Sequence, residues 1–361
     1  MHVVVVGNGI AGVTAARHVR KADPDARITM LSGETRAPFA RTALMYVYMG
    51  VLTRAHTHLY DERFWDESRI DRVLGTARGL DTARQRLALD AASSASARRA
   101  VVVGGGLIGV ELAEMLATRG VAVTFLVREP RYLASALSEQ ESALVAAAIR
   151  SHGVDLRLGA EVERVEGAGR AEAVVTTDGE RIPADVVGVG IGVRPNVGWL
   201  GESLAVDRGV LVDDALRASA ENVWAAGDCA QLRTPPPGVR AVEPIWYTAR
   251  LQGATAGLGM AGRPRPYAPP VFFNSAKFFD LEWQLCGDLA GPATDWERSD
   301  GARSVRIRHR DGAVVGVSGL GVRLRQAVCS RWIEERWPLD RAVADLPAAR
   351  FDAEFSPMLA T

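Results

Sequence analysis

Residues 7–12 near the start of the chain have the composition and spacing of a diphosphate-binding loop. They read GNGIAG, a GxGxxG pattern that follows a run of valines and precedes a helix-like segment. The first glycine allows a tight turn, the second lets the backbone approach a pyrophosphate, and the third brings the helix onto the strand. Glu34 follows the next strand, where a carboxylate can accept hydrogen bonds from a ribose diol. The candidate residues of this first site are Gly7, Gly9, Ile10, Ala11, Gly12 and Glu34.

Residues 104–109, GGGLIG, repeat this pattern and predict a second dinucleotide site. At its ribose position the chain reads LVRE over 126–129. Arg128 favours NADPH, because a guanidinium suits the geometry of a 2′-phosphate. Glu129 beside it favours NADH, and an exposed Arg–Glu pair without a role explains the residues equally well. The candidate residues of this second site are Gly104, Gly106, Leu107, Ile108, Gly109, Arg128 and, in a later GIGVRP segment at 190–195, Gly192.

The elements around each loop follow one order of strand, turn, helix and strand. In the first copy, residues 2–6 are typical of a central parallel strand buried on both faces, and they precede a helix over 10–21 and a strand over 27–31. In the second copy the same elements fall at 100–103, 107–119 and 121–127. Two such βαβ units predict an α/β fold with two Rossmann-like domains.

The two copies differ in length after the second strand. The second continues with a helix over 138–151 and strands near 155–158, 161–166, 173–177 and 184–189. The first begins a matching tail at 73–75, 80–81 and 85–90, but then reaches the small polar stretch 91–97. We therefore predict that the first domain lacks a strand near Asp90. Either the natural protein lacks it, or the sequence joins two segments with residues between them left out; we favour the second explanation.

The remaining segments predict the domain boundaries. Strands are expected at 211–212 and 223–226, the latter ending at Gly227 and Asp228, with a helix over 243–260. Strands at 283–287, 304–309 and 314–319 and a helix over 324–336 then predict a C-terminal α+β domain. The expected division is a discontinuous first domain over 1–90 and 191–262, an inserted second domain over 91–190, and a third over 263–361.

Composition excludes several classes of protein. The chain has 361 residues, 48% of them hydrophobic, which argues against a disordered protein or a small disulfide-stapled one. Lys+Arg and Asp+Glu are 43 each, so no net charge favours nucleic acid. No stretch predicts a membrane span or a signal peptide. Three widely spaced cysteines fit a reducing compartment, and we expect a cytoplasmic location.

Other reactive side chains do not form a recognisable site. Cys229, Cys286 and Cys329 have neither CxxC nor metal-finger spacing, and we interpret them as packed residues. His56 and His58 have no accompanying carboxylate or cysteine cluster, so no metal site is expected.

The chain resembles the two-dinucleotide-binding flavoprotein oxidoreductases, the pyridine nucleotide-disulfide oxidoreductase superfamily. It is most similar to the ferredoxin and rubredoxin reductase-like branch, which includes NADH oxidases and the flavin domain of nitrite reductases. The resemblance spans nearly the whole chain. Besides the two glycine loops, it is carried by residues 38–44 (PFARTAL), 190–195, 224–230 (WAAGDCA) and 243–262.

This resemblance implies FAD on the first domain and NADH or NADPH on the second. Asp228, after Gly227, would hold a ribityl hydroxyl of FAD, and Arg41 would lie near its diphosphate or flavin. The helix that begins near Trp246 would point its positive end at the flavin pyrimidine. Glu111 would face the nicotinamide side of the flavin, although a glutamate on a solvated helix face is an equal alternative.

Two departures from the family pattern limit the chemistry. Disulfide reductases of this fold carry CxxxxC after the FAD unit, whereas residues 41–50 read RTALMYVYMG. Thiol relay chemistry is therefore not expected. Related reductases often place Ser-Lys where this chain has Met45 and Tyr46. The lysine of those relatives can pair with a glutamate beside flavin N5, and this chain has no lysine at that position. The strand missing near Asp90 would lie against the adenosine half of FAD.

The function implied is hydride transfer from NAD(P)H to flavin, followed by electron transfer to an acceptor. A small iron–sulfur protein, a quinone and dioxygen all remain open as acceptors, and the protein could be a homodimer. The alternative is a nucleotide-binding redox sensor or assembly module with impaired FAD binding and no turnover.

Overall fold

A computed structural model describes residues 1–75, 77, 98–168, 170–236 and 238–351. It divides into two compact units. Unit one comprises Met1–Ser93 and Val193–Pro270, and unit two comprises Ser94–Gly192 and Val271–Thr361. The predicted strands at 80–81 and 85–90, the stretch 91–97 and the strand missing near Asp90 lie outside the described residues. The division into three domains stays a prediction.

The strands alternate with helices in both units. The strands are β1 (His2–Val6), β2 (Arg27–Ser32), β3 (Ile70–Leu74), β4 (Arg99–Val103), β5 (Ala122–Val127), β6 (Asp155–Leu158), β7 (Val162–Glu166), β8 (Ala173–Thr176), β9 (Arg181–Pro183), β10 (Val186–Val189), β11 (Val210–Val212), β12 (Ala230–Leu232), β13 (Phe273–Phe278), β14 (Leu281–Gly287), β15 (Thr294–Ser299), β16 (Ser304–Arg310) and β17 (Ala313–Leu320). The helices are α1 (Ile10–Ala22), α2 (Leu44–Tyr48), α3 (Glu62–Glu67), α4 (Leu107–Thr118), α5 (Glu139–Ser151), α6 (Trp246–Met260), α7 (Gln326–Glu334), α8 (Leu339–Ala344) and α9 (Leu346–Ala349).

Unit one is built on the parallel sheet β1-β2-β3, with α1 packed on one face. Val3 and Val5 point into the core, whereas Val4 and Val6 on the opposite face are 48% and 45% exposed. The prediction that this strand is buried on both faces is therefore wrong for the described part of the unit. Of the described strands, only β2 pairs with β1.

The prediction of a strand over 223–226 is also wrong. Trp224 forms a single bridge with Arg217, and the strand that pairs with β11 is β12, after Gly227 and Asp228. The segment before Gly227 packs beneath α6 instead, where a Cβ added to Gly259 would lie 2.5 Å from Trp224 Nε1.

Unit two contains the four-stranded parallel sheet β10-β4-β5-β6 and the antiparallel sheet β7-β8-β9. Val101 and Leu126 of the parallel sheet pack against Val174 and Ile182 of the antiparallel one and against Ala184, which follows β9. The other face packs on α4 and α5, so that β4 is buried on both sides. The strand predicted over 100–103 is therefore present, and unlike β1 it is buried on both faces.

The C-terminal part of unit two is the antiparallel sheet β13-β14-β17-β16-β15 with α7, α8 and α9. Phe278, Trp283 and Leu320 share one apolar core with the parallel sheet. Glu141, at the start of α5, is fully buried and pairs with Arg306 of β16 at 3.0 Å. Ser318 Oγ donates to the same carboxylate at 2.7 Å, so a buried ionic network joins the two parts.

Candidate functional site

The first glycine loop has the geometry that a dinucleotide requires. Gly7 has φ of +101°, a conformation that other residues rarely adopt. A Cβ on Gly12 would overlap the carbonyl oxygen of Gly7, so α1 can approach β1 only with glycine there. A Cβ on Gly9 would meet only Arg41 Nη1, at 3.5 Å, which leaves room above the loop.

The start of α1 is free to receive an anion. Its N-cap is Gly9, and within the described residues no side chain caps the helix and no acid lies in its first turn, which begins with Ile10 and Ala11. Asn8 is 1% exposed and donates to the Thr35 carbonyl, but its Oδ1 has no partner in the described structure. An uncapped helix start and a buried, unsatisfied acceptor at one loop fit a polar ligand such as FAD.

Arg41 brings the other predicted residues of unit one together. Its Nη2 lies 2.9 Å from Glu34 Oε2, while Nη1 lies beside Gly9. The carboxyl of Asp228 is accessible to solvent but surrounded by enough protein that desolvation raises its pKa, and the positive charge of Arg41 partly opposes this rise. The first site therefore brings together four of the predicted residues, which are Gly9, Glu34, Arg41 and Asp228.

Asp228 is held there by close packing between α1 and α6. Gly227 has φ of +79°, and a Cβ on it would lie 3.1 Å from Ala11 Cβ. Its amide donates to Gln252 Oε1 of α6 at 2.8 Å. A Cβ on Gly253 would overlap the Ala11 carbonyl, so the two helices need glycine at their crossing. Trp246, at the start of α6, is 39% exposed.

The second glycine loop repeats the first in unit two. Gly104 has φ of +112°, and a Cβ on Gly109 would overlap the Gly104 carbonyl. Gly106 is the N-cap of α4, which carries no capping side chain or first-turn acid among the described residues. A Cβ on Gly106 would meet only the Gly190 carbonyl, at 3.9 Å, so space is open above this loop as well.

The other predicted residues of unit two lie near this loop or at its edge. Leu107 and Ile108 form the first turn of α4, and Ile108 is exposed. Gly192 has φ of +118° and open space around it. Arg128 is exposed and pairs with Glu129 at 2.8 Å.

Glu111 lies one turn into α4 and is partly buried. Desolvation raises the pKa of its carboxyl, and the negative charge of Glu114 raises it further. Glu114 is almost fully buried and accepts hydrogen bonds from Lys277 Nζ and the Phe279 amide, both at 3.2 Å. A carboxyl with a raised pKa can hold a proton nearer neutral pH than an exposed one.

Three site features were missed from the sequence. Asn8 and Gln252 are the buried polar groups that shape the first site, and Gly190 closes the second, since a Cβ on Gly104 would lie 2.5 Å from the Gly190 carbonyl. The signal for Gln252 is a single amide in a helix otherwise rich in small residues.

The cysteines do not form a redox pair. Burial raises the pKa of Cys286 to about 11, and it also raises the pKa values of Cys229 and Cys329. All three are free thiols. In the part of the chain that the structure describes, no cluster of three metal-ligating side chains is found. Nor is any described helix long and apolar enough to cross a bilayer.

Comparison with known proteins gives a consistent result. Residues 68–253 match the family described as pyridine nucleotide-disulphide oxidoreductase. The ferredoxin reductase component of chlorobenzene dioxygenase from Cupriavidus sp. (strain PS12) is 28% identical over 389 aligned positions, covering 94% of each chain. That alignment is longer than this 361-residue chain, so the relative has residues without a counterpart here.

A second relative and a solved structure extend this likeness. The 5,5'-dehydrodivanillate O-demethylase ferredoxin reductase subunit from Sphingobium sp. (strain NBRC 103272 / SYK-6) is 31% identical and covers 79% of this chain and 81% of its own. The putidaredoxin reductase–putidaredoxin complex matches with a TM-score of 0.81 and 22% identity, covering 97% of this chain and 99% of that one. The α/β fold and the two glycine loops, each of which leads into an uncapped helix, agree with these matches. The chain belongs to the pyridine nucleotide-disulphide oxidoreductase family, on its ferredoxin and rubredoxin reductase-like branch, and is a flavin-dependent NAD(P)H oxidoreductase.

Proposed function

We propose that this protein is an NADH-dependent reductase that delivers electrons to a small iron–sulfur protein in the cytoplasm. The observation that carries the proposal is the pair of glycine loops, one in each unit, each open above the loop and each leading into an uncapped helix. The relatives named as ferredoxin and rubredoxin reductases support the choice of acceptor.

Unit one would hold FAD through groups that match its parts. The backbone N–H groups at the start of α1 and the guanidinium of Arg41 would face the diphosphate, and Glu34 would accept from the ribose hydroxyls. Asp228 would accept from the ribityl chain, and the start of α6 at Trp246 would turn its positive end toward the flavin. FAD supplies the step between a two-electron donor and one-electron acceptors.

Unit two would bind the pyridine nucleotide. The amides at the start of α4 and the backbone of Gly104 and Gly106 would hold its diphosphate, with Gly192 at the far side of the loop. Glu111 would hold a proton near the nicotinamide, because its raised pKa favours the neutral form. The proposed boundaries remain a first domain over 1–90 and 191–262, a second over 91–190 and a third over 263–361.

The cysteine chemistry separates this function from that of thiol-dependent relatives. Catalytic cysteines have lowered pKa values and are accessible, whereas the three cysteines here have raised values. The protein should therefore reduce one-electron iron–sulfur acceptors and leave disulfides unreduced.

Acceptor assays with the FAD-reconstituted protein test this proposal. NADH is supplied without oxygen, and a set of [2Fe–2S] ferredoxins and rubredoxins is compared with oxidised glutathione. We expect NADH-dependent loss of the visible absorbance of at least one iron–sulfur protein and no formation of thiols. Reduction of the disulfide alone, or of neither acceptor class while the flavin is reduced, would contradict the proposed acceptor.

A further inference from the structure

Tyr132 is a fully buried tyrosine that the proposed function does not use. It lies in the loop after β5, and its ring meets Phe125 of β5 and Phe278 of β13 edge to face, with centroids 6.1 and 5.8 Å apart. Its backbone carbonyl accepts a hydrogen bond from Ser142 Oγ of α5 at 2.7 Å. The ring is therefore fixed, and the packing of unit two sets the position of its hydroxyl.

The hydroxyl of Tyr132 lies against the second glycine loop. Its oxygen is 3.5 Å from the carbonyl oxygen of Gly106, the N-cap of α4, above which space is open. That carbonyl also accepts from the Val110 amide at 3.2 Å, and a carbonyl oxygen can accept two hydrogen bonds. Because 3.5 Å is longer than an ordinary O–H···O bond, the hydroxyl proton is not committed to this acceptor.

The carboxylate of Glu111 is a second acceptor for this proton. Burial raises the pKa of the Tyr132 hydroxyl, and the negative charge of Glu111 raises it further, so the two groups lie near each other. An ionised carboxylate attracts a donor more strongly than a neutral carbonyl does. A tyrosine hydroxyl has one proton, so it can donate fully to Gly106 or to Glu111 but not to both.

The described strands that pack on α4 bring few charges toward Glu111. Strands β5 and β10 carry no ionisable side chain, and Arg99 of β4 pairs with Asp185 at 3.0 Å. On β13, Lys277 pairs with Glu114 at 3.2 Å, so its charge is committed to that carboxylate. The tyrosine hydroxyl is therefore the donor that can respond to ionisation of Glu111.

The Gly106 carbonyl and the Leu107 amide belong to the same peptide group. This amide is among those at the start of α4 that would hold the diphosphate of the nucleotide. A hydrogen bond accepted by the carbonyl polarises the peptide and strengthens its N–H as a donor. The hydroxyl of Tyr132 can therefore act on a bound diphosphate without touching it, as long as Glu111 does not attract its proton.

We propose that Tyr132 is a positioning residue of the second site, which donates to the Gly106 carbonyl while Glu111 is neutral and to the Glu111 carboxylate once that group is ionised. NAD⁺ is then bound more tightly below the pKa of Glu111 than above it. Ionisation removes the polarising bond and places a negative charge on the helix that holds an anionic ligand. This inference rests on the proposed function, in which unit two binds the pyridine nucleotide.

Calorimetric binding of NAD⁺ to the FAD-reconstituted protein over a range of pH tests this assignment independently of turnover. We expect the affinity to fall as pH rises through the pKa of Glu111, and Glu111→Gln to remove most of this fall. Tyr132→Phe should weaken binding about threefold on the acidic side, within the usual effect of one hydrogen bond. It should also move the midpoint of the fall to higher pH, because ionised Glu111 loses its donor.

Tyr267→Phe is the matched control. Tyr267 is a buried tyrosine of unit one whose hydroxyl has no partner in the described structure, and burial raises its pKa to about 12. This change should alter neither the affinity for NAD⁺ nor the midpoint of its pH dependence.

Unchanged affinity and midpoint in Tyr132→Phe would overturn the inference, since phenylalanine keeps the packing of the ring and removes only the hydroxyl. A fall in affinity that persists in Glu111→Gln would overturn it as well. Both results leave the proposed function standing. Failure of the unmodified protein to bind NAD⁺ at any pH would instead contradict the proposed function itself.

Discussion

The two glycine-loop units share their loops and differ in what covers their sheets. Gly7 and Gly104 both have positive φ, and a Cβ on Gly12 or Gly109 would overlap the carbonyl of the first glycine of its own loop. In unit two the strand before the loop lies between β10 and β5, and β7-β8-β9 cover one face. Among the described strands of unit one, β1 has one neighbour, and Val4 and Val6 are half exposed.

This difference shows that the nucleotide cradle is a local structure. The approach of the helix to the strand is decided within one short segment, since a Cβ on the third glycine of each loop would overlap the carbonyl of the first. Burial of the sheet is a separate matter, decided by residues far away in sequence such as Val174 and Ile182. Binding geometry and sheet stability should therefore respond to different substitutions.

The largest expected effect comes from the middle glycine of each loop. A valine at Gly9 or Gly106 would fill space that is open in the structure, so the fold should persist while the diphosphate is blocked. We expect Gly9→Val to lose FAD, and Gly106→Val to keep FAD but lose reduction by NADH. Flavin absorbance after gel filtration and anaerobic bleaching measure these two results. Equal loss of flavin in both variants would mean that the two units do not bind different cofactors.

The next largest effect concerns the buried network that joins the two parts of unit two. Arg306→Met would leave Glu141 buried without its cation, which should lower the free energy of unfolding by about 3 kcal/mol or more. The double variant with Glu141→Gln should recover most of this loss. Chemical denaturation measures both, and Arg323→Met, which removes an exposed pair with Glu282, is the control. A similar loss of unfolding free energy in the control would show that the buried pair contributes no more to stability than an exposed one.

A smaller effect should distinguish the two sheets directly. Val101 and Val4 stand at the same register position, three residues before the first glycine of their loops, but Val101 is fully buried and Val4 is half exposed. Val101→Thr should destabilise the protein by about 1–3 kcal/mol because its hydroxyl is buried. Val4→Thr should leave the free energy of unfolding nearly unchanged. An equal cost for both would show that the outer face of β1 is covered in solution.

The smallest effect concerns the pH dependence of stability. Burial raises the pKa of Glu111 above its ordinary value of 4.5, so its contribution to stability is complete below that value and is lost as pH rises through the raised pKa. Glu111→Gln should therefore flatten the decline in melting temperature above pH 4.5. The sign is opposite for Glu166, because Arg181 and Arg164 lower its pKa. Its contribution to stability is present above the ordinary pKa of 4.5 and is lost as pH falls through the lowered pKa, so Glu166→Gln should reduce the loss of melting temperature in acid. A decline unchanged by Glu111→Gln would exclude this carboxyl as its source.

Local patterns predicted much of the fold and of both loops. Helix α1, strand β6 and helix α6 begin and end within three residues of their expected bounds. Runs of valine, glycine turns and helices rich in small residues are short-range signals that the sequence shows directly. The prediction of a strand over 223–226 failed because Trp224 and Ala225 are apolar residues that pack beneath α6 and do not belong to a sheet. Composition alone does not separate these two causes.

Convergence of distant side chains was less predictable. Arg41 was associated with the diphosphate only through family resemblance, and its ion pair with Glu34 depends on how the loop over 35–40 folds back. The edge strand β15, rich in polar residues, carries no alternating apolar signal and was missed. The partner of Glu114, Lys277, lies 163 positions away in sequence and follows from the packing of α4 against β13.

Anaerobic spectral titration of the FAD-reconstituted protein with NADH tests the central claim most directly. If one unit holds the flavin and the other presents the pyridine nucleotide to it, the protein is yellow and one equivalent of NADH bleaches its visible bands. A protein that retains no flavin after reconstitution, or a yellow protein whose bands persist in excess NADH, would contradict this account.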